Sequence, residues 1–383
     1  MASYAAVIGG LVLLFGGLVG LAGSWIAARP VGDPTRRYSP AWLPAMVVSG
    51  LAPLWLLLHG LVLGIGLLLR GWSNWAGRIG AGLLATSAIL LVVVIVRNRR
   101  GARRLLLLVD GVVHPAPGFA GLIGRPIAEP DEVVEHHAIE WRDGLTLDLI
   151  RPDDERRELP VLVYVHGGGW TGGDPQRQAR DLYHALARAG WATAAIRYPH
   201  APRATVEHQI ETVRSAIRWM RSEREVHGVR AATVALAGGS AGGHLAAMAA
   251  LTPRHESERV AACVGIYGVY DMANRNRLRA PWAMIPNTVM GERYRDAPDR
   301  YHAVSPIDQD VSDSPPFLLV HGTRDTLVPI GESIQFAEVL RAAGRPVDVV
   351  PVQGAEHAFD ALSSATSRTA AAVIRDWLLR TAG

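Results

Sequence analysis

Lysine is absent from all 383 residues, so every one of the 39 strongly basic side chains is an arginine. With it goes any G-x-x-x-x-G-K-[ST] phosphate loop, and neither an H-E-x-x-H pair nor a strand-linked G-x-G-x-x-G with its acidic follower occurs. Zinc hydrolysis, nucleotide hydrolysis and dinucleotide chemistry thus lack their usual residue sets. Cysteine is nearly missing as well: Cys263 stands alone in an apolar run, which excludes an intramolecular disulfide and a cysteine metal site and marks a buried thiol. No metal and no cofactor is implied.

Acidic residues are scarce at one end only. Residues 1–110 hold ten Arg against Asp33 and Asp110, a net charge of +8, whereas the remainder carries 29 Arg against 33 acids. The sequence pI of about 9.5 therefore comes from the N-terminal part. Those arginines flank apolar segments and form no basic helix or aromatic-interleaved patch, so nucleic acid is not an expected partner.

Charge is missing altogether from Ala5 to Ala28, from Ser39 to Leu69 and from Ile79 to Val96. Each run comes near the ~20 residues that a membrane-spanning helix needs. Pro40, Pro44 and Pro53 push the second helix inward, which gives expected spans over 5–28, 47–69 and 76–96. Met1-Ala-Ser-Tyr4 lacks the basic start of a secretory signal. Gly16-x-x-x-Gly20 and Gly60-x-x-x-Gly64 would let helices approach closely, and His59 reads as a neutral imidazole bonded to a neighbouring helix. The expected role of residues 1–110 is a multi-pass anchor in the plasma (inner) membrane. An N-out, C-in path puts eight of the ten arginines on the inner side, which places the remainder of the chain in the cytoplasm.

His114 to Pro126 is dense in Pro and Gly, and residues 111–134 are read as a linker to a catalytic domain over 135–383. Glu135–Trp141 and Leu145–Ile150 around Arg142-Asp-Gly144 predict an opening hairpin. Strand-like runs then alternate with helical ones. Val206–Val226 sets Ile210, Val213, Ile217 and Met220 on one face. An α/β fold with a mostly parallel sheet flanked by helices is expected.

The chemistry sits at the ends of those strands. Gly238-Gly-Ser240-Ala-Gly242 follows the apolar Thr233–Ala237 and precedes a small-residue helical run, the strand, turn and helix setting that pushes a serine oxygen out above a sheet. Upstream, Val161–Val165 leads into His166-Gly-Gly-Gly-Trp170, whose free N–H groups at Gly168 and Gly169, with that of Ala241, can face a developing oxyanion. A serine hydroxyl needs a base, and the base needs an acid to fix its tautomer. Asp325 in His321-Gly-Thr-Arg-Asp325 and His357 in Gly354-Ala-Glu-His357 supply these in the chain order Ser240, Asp325, His357, that of α/β-hydrolases. His166 and His321 are read as braces of their loops, His244 as lying one turn into the helix, Asp271 as a loop or cap residue, and Asp360 as too near His357 to be its partner. Residues 272–313 form a long insertion whose Trp282, Met284, Ile285, Val289 and Met290 either roof the acyl site or pack only for stability.

HGGGW, GGSAGGHLA, HGTRDTLVP and GAEHAF, in this order from about His136 onward, resemble the hormone-sensitive-lipase-type carboxylesterases, most closely the bacterial membrane-attached esterase/lipase group. The resemblance implies an α/β-hydrolase fold and hydrolysis of carboxylic esters through an acyl-enzyme without metal or cofactor. Many members of that family carry an acidic residue before the serine, where this chain has Gly239. The reading is a membrane-anchored serine carboxylesterase or lipase acting on an ester or lipid. An arylformamidase-like amidase or acyltransferase using the same triad is the alternative, followed by a non-catalytic membrane scaffold. Oligomeric state is not legible.

Overall fold

The computed structural model describes residues 2–29, 40–108, 133–222 and 225–383. Of the linker expected over 111–134, residues 111–132 lie outside them, and Val133 and Val134 already belong to the first strand. The first uncharged run folds as α1 (Ala2–Ala28) and the third opens a longer helix, α4 (Trp75–Leu106). Asn74 caps α4, its side-chain oxygen accepting the N–H of Gly77 at 2.9 Å while its amide donates to the Ala6 carbonyl at 2.7 Å. By length and composition, α1 and α4 are long and apolar enough to cross a membrane.

The second run departs from the single span expected over 47–69. It is broken into α2 (Trp42–Gly50) and α3 (Ala52–Leu68), bent by 81° at Leu51. Pro53 in the first turn of α3 is the physical reason: it has no N–H to give, and its ring clashes with the carbonyl of a continuing helix. Only the first of the two small-residue pairs is used in packing. Gly16 and Gly20 meet Val62 and the His59 ring, whereas Gly60 and Gly64 face open space. His59 is buried, with Nδ1 2.7 Å from the Trp55 carbonyl and Nε2 2.7 Å from Ser87 Oγ on α4. This is the interhelical hydrogen bond read from the sequence.

Helix α4 outlasts its apolar run. Its 32 residues rise about 48 Å, and the arginine-rich last turns run onto the rest of the chain. Leu105 is buried in one cluster with Leu182, Val352 and Trp377, a placement worth roughly 1.5–3 kcal/mol. Gly101 lies so near Gln353 that any Cβ would overlap its carbonyl. At the C-terminus of α1, Arg97 donates to the Ala27 carbonyl and Arg324 to the Ala28 carbonyl, both at 3.0 Å. The helix end leaves these carbonyls unpaired, and cations are favoured there.

The eight strands are β1 (Val133–Arg142), β2 (Leu145–Pro152), β3 (Glu158–Val165), β4 (Ala192–Ile196), β5 (Arg230–Gly239), β6 (Cys263–Ile266), β7 (Phe317–Gly322) and β8 (Val347–Val352). They form one sheet in the order β1-β2-β4-β3-β5-β6-β7-β8, antiparallel at β1/β2 and β2/β4 and parallel elsewhere. The opening hairpin turns at Asp143-Gly144, both with positive φ. Val161 to Val165 are wholly buried because helices cover both faces, which is why β3 reads as an unbroken apolar run. One face packs on α6 (Val206–Arg221), α7 (Ala241–Leu251) and α9 (Gly331–Ala342); the other packs on α5 (Arg180–Arg188) and α10 (Ala365–Ala382), together with the end of α4.

The long insertion, which includes α8 (Pro298–Ala303), leaves after β6 and returns at β7. Its root is fixed by Glu332, which accepts the Tyr270 and Asp271 N–H groups at 2.8 and 3.0 Å and pairs with the buried Arg279 at 2.6 Å. Ile285, Val289 and Met290 are buried in the main core, so the insertion does pack for stability. Met284 also reaches the glycine loop after β3, lying against Gly169.

Candidate active site

Four loops meet at the C-terminal ends of β3, β5, β7 and β8, the edge where open α/β sheets place their ligands. Between β5 and α7, Ser240 holds φ 56° and ψ −120°, a backbone strained for a residue with a Cβ. The glycines around it make that turn possible. A side chain at 238 or 242 would run into the Gly242 carbonyl or the Val165 carbonyl. At 239 a Cβ would stand 2.9 Å from the Tyr267 hydroxyl and 3.1 Å from that of Tyr164, which explains why this chain has glycine where the resembled family often has an acid.

Ser240 Oγ lies 3.0 Å from His357 Nε2, and His357 Nδ1 lies 2.7 Å from Asp325 Oδ2. Nδ1–H donates to the carboxylate, so the neutral ring presents Nε2 as acceptor for the serine hydroxyl. The other carboxylate oxygen of Asp325 accepts the N–H groups of Leu327 and Val328 at 3.0 and 2.7 Å. Burial alone would raise the Asp325 pKa, but the charge and hydrogen bonds of His357 and His321 outweigh it and hold the group down at about 2. It is therefore ionised at neutral pH.

Gly168 has φ 136° and Gly169 φ 61°, values that turn the loop after β3 back over the sheet. Among the described residues, the N–H groups of Gly168, Gly169 and Ala241 have no acceptor. The loop is braced on every side. Gln178 accepts the Gly167 N–H at 2.8 Å, Tyr198 donates to the His166 carbonyl at 3.0 Å, and Gln209 donates to the Trp170 carbonyl at 2.9 Å. Trp170 Nε1–H donates to His244 Nδ1 at 3.1 Å, while His244 Nε2–H donates to the Val304 carbonyl at 2.7 Å. Burial lowers both His166 and His244 to about 4, so they serve as neutral braces. His321 is bonded to Ser333 and the Val328 carbonyl behind Asp325. Asp271 holds the Ala273 and Arg275 N–H groups of its own turn. Asp360 accepts a hydrogen bond from the Tyr267 hydroxyl, and burial raises its pKa to about 6.

Three contributors escape the sequence. Glu356 is buried and accepts the Thr326 N–H at 2.8 Å, the Thr326 hydroxyl at 2.7 Å and the His357 N–H at 3.2 Å, tying the acid loop to the base loop. Burial pushes its pKa up to about 7. The Tyr267 ring lies 4.8 Å from the His357 ring, and Trp42 of α2 approaches the same ring edge-on at 5.5 Å. The position of Glu356 beside His357 is the one sequence signal among these. Nothing in the sequence joins Trp42 to a histidine 315 positions away.

A hydroxyl hydrogen-bonded to a buried imidazole, itself oriented by a carboxylate, with unpaired N–H groups close by, can carry out nucleophilic attack on a carbonyl carbon. Comparison with known proteins agrees with that chemistry. Residues 147–340 match the model of the BD-FAE family. The chain is 37% identical over 245 residues to "Esterase LipQ" of Mycobacterium tuberculosis, a match covering 61% of this chain and 58% of that protein. It is 35% identical over 248 residues to "Probable carboxylic ester hydrolase LipM" of the same organism, covering 60% and 56%. The chain thus spans less than two thirds of the length of these curated relatives. Among solved structures, a "Truncated form of carbohydrate esterase from gut microbiota" superposes with a TM-score of 0.59 at 22% identity, over 67% of this chain and 98% of that one, a likeness of fold.

Proposed function

Because the chain belongs to the BD-FAE family, we propose that it is a serine carboxylesterase held in a membrane by its N-terminal helices. Ser240 Oγ attacks the ester carbonyl carbon as His357 Nε2 takes its proton. The N–H groups of Gly168, Gly169 and Ala241 hold the oxyanion of the tetrahedral intermediate, and Asp325 stabilises the imidazolium. Collapse breaks the bond to the leaving alcohol, whose oxygen receives the proton from His357 and leaves an acyl group on Ser240. Water then repeats the sequence, releasing the acid and restoring the hydroxyl.

The observation that carries this reading is the unbroken hydrogen-bond path from Ser240 Oγ through His357 to the buried Asp325, at 3.0 and 2.7 Å. The path and the strained serine turn also weigh against a non-catalytic scaffold. The membrane part rests on the two apolar helices and the bent pair, and the arginine distribution favours a cytoplasmic catalytic domain. The test is covalent labelling of the full-length protein in detergent with a fluorophosphonate, alongside hydrolysis of p-nitrophenyl esters. Ser240→Ala is expected to abolish labelling and to cut turnover by several orders of magnitude, because nucleophile and base act as a unit. A Ser240→Ala protein that kept more than about a tenth of the activity in a clean preparation would overturn the assignment.

A further inference from the structure

One face of α2 carries Trp42, Met46 and Ser49, spaced so that they line up along the helix. At one end of this stripe Trp42 stands edge-on to the His357 ring. Along the rest, Met46 and Ser49 line a cavity open to solvent, about 780 Å³ when the solvent space at its mouth is counted in. Its opposite wall comes from the segment that follows His357, above all Phe359 and Leu362, and Glu356, next to His357, lines it too. Pro53 of α3 and Ile95 of α4 close the side nearest the apolar helices. The cavity is therefore built half from the N-terminal helices and half from the loop that carries the candidate base.

Its level relative to a bilayer is set by α4. Ile95 belongs to the uncharged run ending at Val96, and Asn98 and Arg99, which also line the cavity, begin the polar turns that follow. The cavity thus lies where hydrocarbon gives way to headgroups, with apolar walls that a hydrocarbon chain would fill. Which end of an ester would enter follows from the chemistry proposed above. The leaving alcohol takes its proton from His357, so the alcohol moiety extends on the histidine side, whereas Met284 lies against the oxyanion loop at Gly169.

We propose that this cavity receives the hydrocarbon chain of the alcohol part of a bilayer-resident ester, with Trp42 guiding the ester group to Ser240. The proposal rests on the serine-esterase reading and adds the substrate class: an acyl ester of a long-chain lipid alcohol. Trp42 acts here as a positioning residue, and α2 as part of the substrate site.

The test uses the full-length protein in phosphatidylcholine nanodiscs with two long esters that partition alike, hexadecyl acetate and ethyl hexadecanoate, and with soluble ethyl acetate as reference. Hexadecyl acetate should be favoured over ethyl hexadecanoate by at least about tenfold in kcat/KM, the scale a few buried methylenes supply. Ala365→Trp, at an exposed cavity-lining position at the start of α10, should remove that preference and leave ethyl acetate hydrolysis within about twofold. Trp42→Ala should raise KM for hexadecyl acetate more than it lowers kcat. A preference for ethyl hexadecanoate, or an Ala365→Trp protein that loses all three esters alike, would overturn the proposal. Cross-linking separates it from the parent reading: a diazirine-bearing hexadecanol should label residues 355–366 in Ser240→Ala, even if that variant exposes an error in the triad. Labelling confined to the outer faces of α1 and α3 would refute the cavity.

Discussion

Replacing Glu356 by Gln should make the protein more stable at pH 8 and change little at pH 5. Burial raises this carboxyl from an ordinary 4.5 to about 7, so the folded protein holds the proton more tightly than the unfolded chain does. Its contribution to stability is fully present below about pH 4.5 and is lost progressively as pH rises toward 7. A shift from 4.5 to about 7 corresponds to an upper bound of about 3 kcal/mol of stability missing at pH 8. Gln is nearly isosteric. Its oxygen can still accept the Thr326 and His357 N–H groups, and the Thr326 hydroxyl can rotate to accept from the amide nitrogen. The assay is thermal unfolding in detergent, followed by tryptophan fluorescence across pH 5 to 8, with a gain on the order of 5 °C expected at the upper end. Glu356→Ala is the contrasting variant, since it leaves the two N–H groups buried without an acceptor, at roughly 1–3 kcal/mol each. A Gln variant whose stability difference is the same at pH 5 and pH 8, or is negative at pH 8, would refute the reasoning.

Gly239→Ala should cost roughly 1–3 kcal/mol and depress turnover, because the new methyl must displace the Tyr267 and Tyr164 hydroxyls beside the serine; denaturation midpoints and p-nitrophenyl ester kinetics check both. A chain beginning near Gly111 loses Leu105 from the core and Trp42 from beside His357, so it should unfold at lower temperature than the full chain while retaining hydrolysis of short soluble esters. Fusing green fluorescent protein or alkaline phosphatase after Gly383 should give fluorescence without phosphatase activity in a bacterial host, and the reverse outcome would put the catalytic domain outside.

The hydrolase part was largely legible because its chemistry is local. Glycine runs and small residues must sit beside Ser240 and in the loop after Val165 for steric reasons, and those constraints leave short, readable strings. The strand boundaries moved by a few residues only, as with β3, which begins at Glu158 rather than Val161. Apolar runs fix burial but not direction, so the break at Leu51 between α2 and α3 was concealed inside a stretch that hydropathy treats as uniform. Glu356 and Trp42 act through tertiary approach alone. Acidic residues beside histidines and tryptophans beside apolar helices are common, and only the folded chain gives these two their partners. The insertion was legible as an excursion, while the hold of Glu332 on its root depends on a residue some sixty positions away.

Helix α4 runs without a break from Trp75 to Leu106, and Gly101, Ala102 and Leu105 of its last turns are buried, Leu105 within the hydrolase core. In a bilayer such an element behaves as a rigid axle rather than a tether. Any tilt that α4 adopts to match the thickness of the surrounding lipid is passed to the sheet at Gly101 and Leu105. On the proposed membrane-anchored reading, the orientation of Ser240 toward the lipid surface would then become a function of membrane composition. Thick and thin bilayers would present the same ester to the same serine at different angles, a form of control that needs neither effector nor modification.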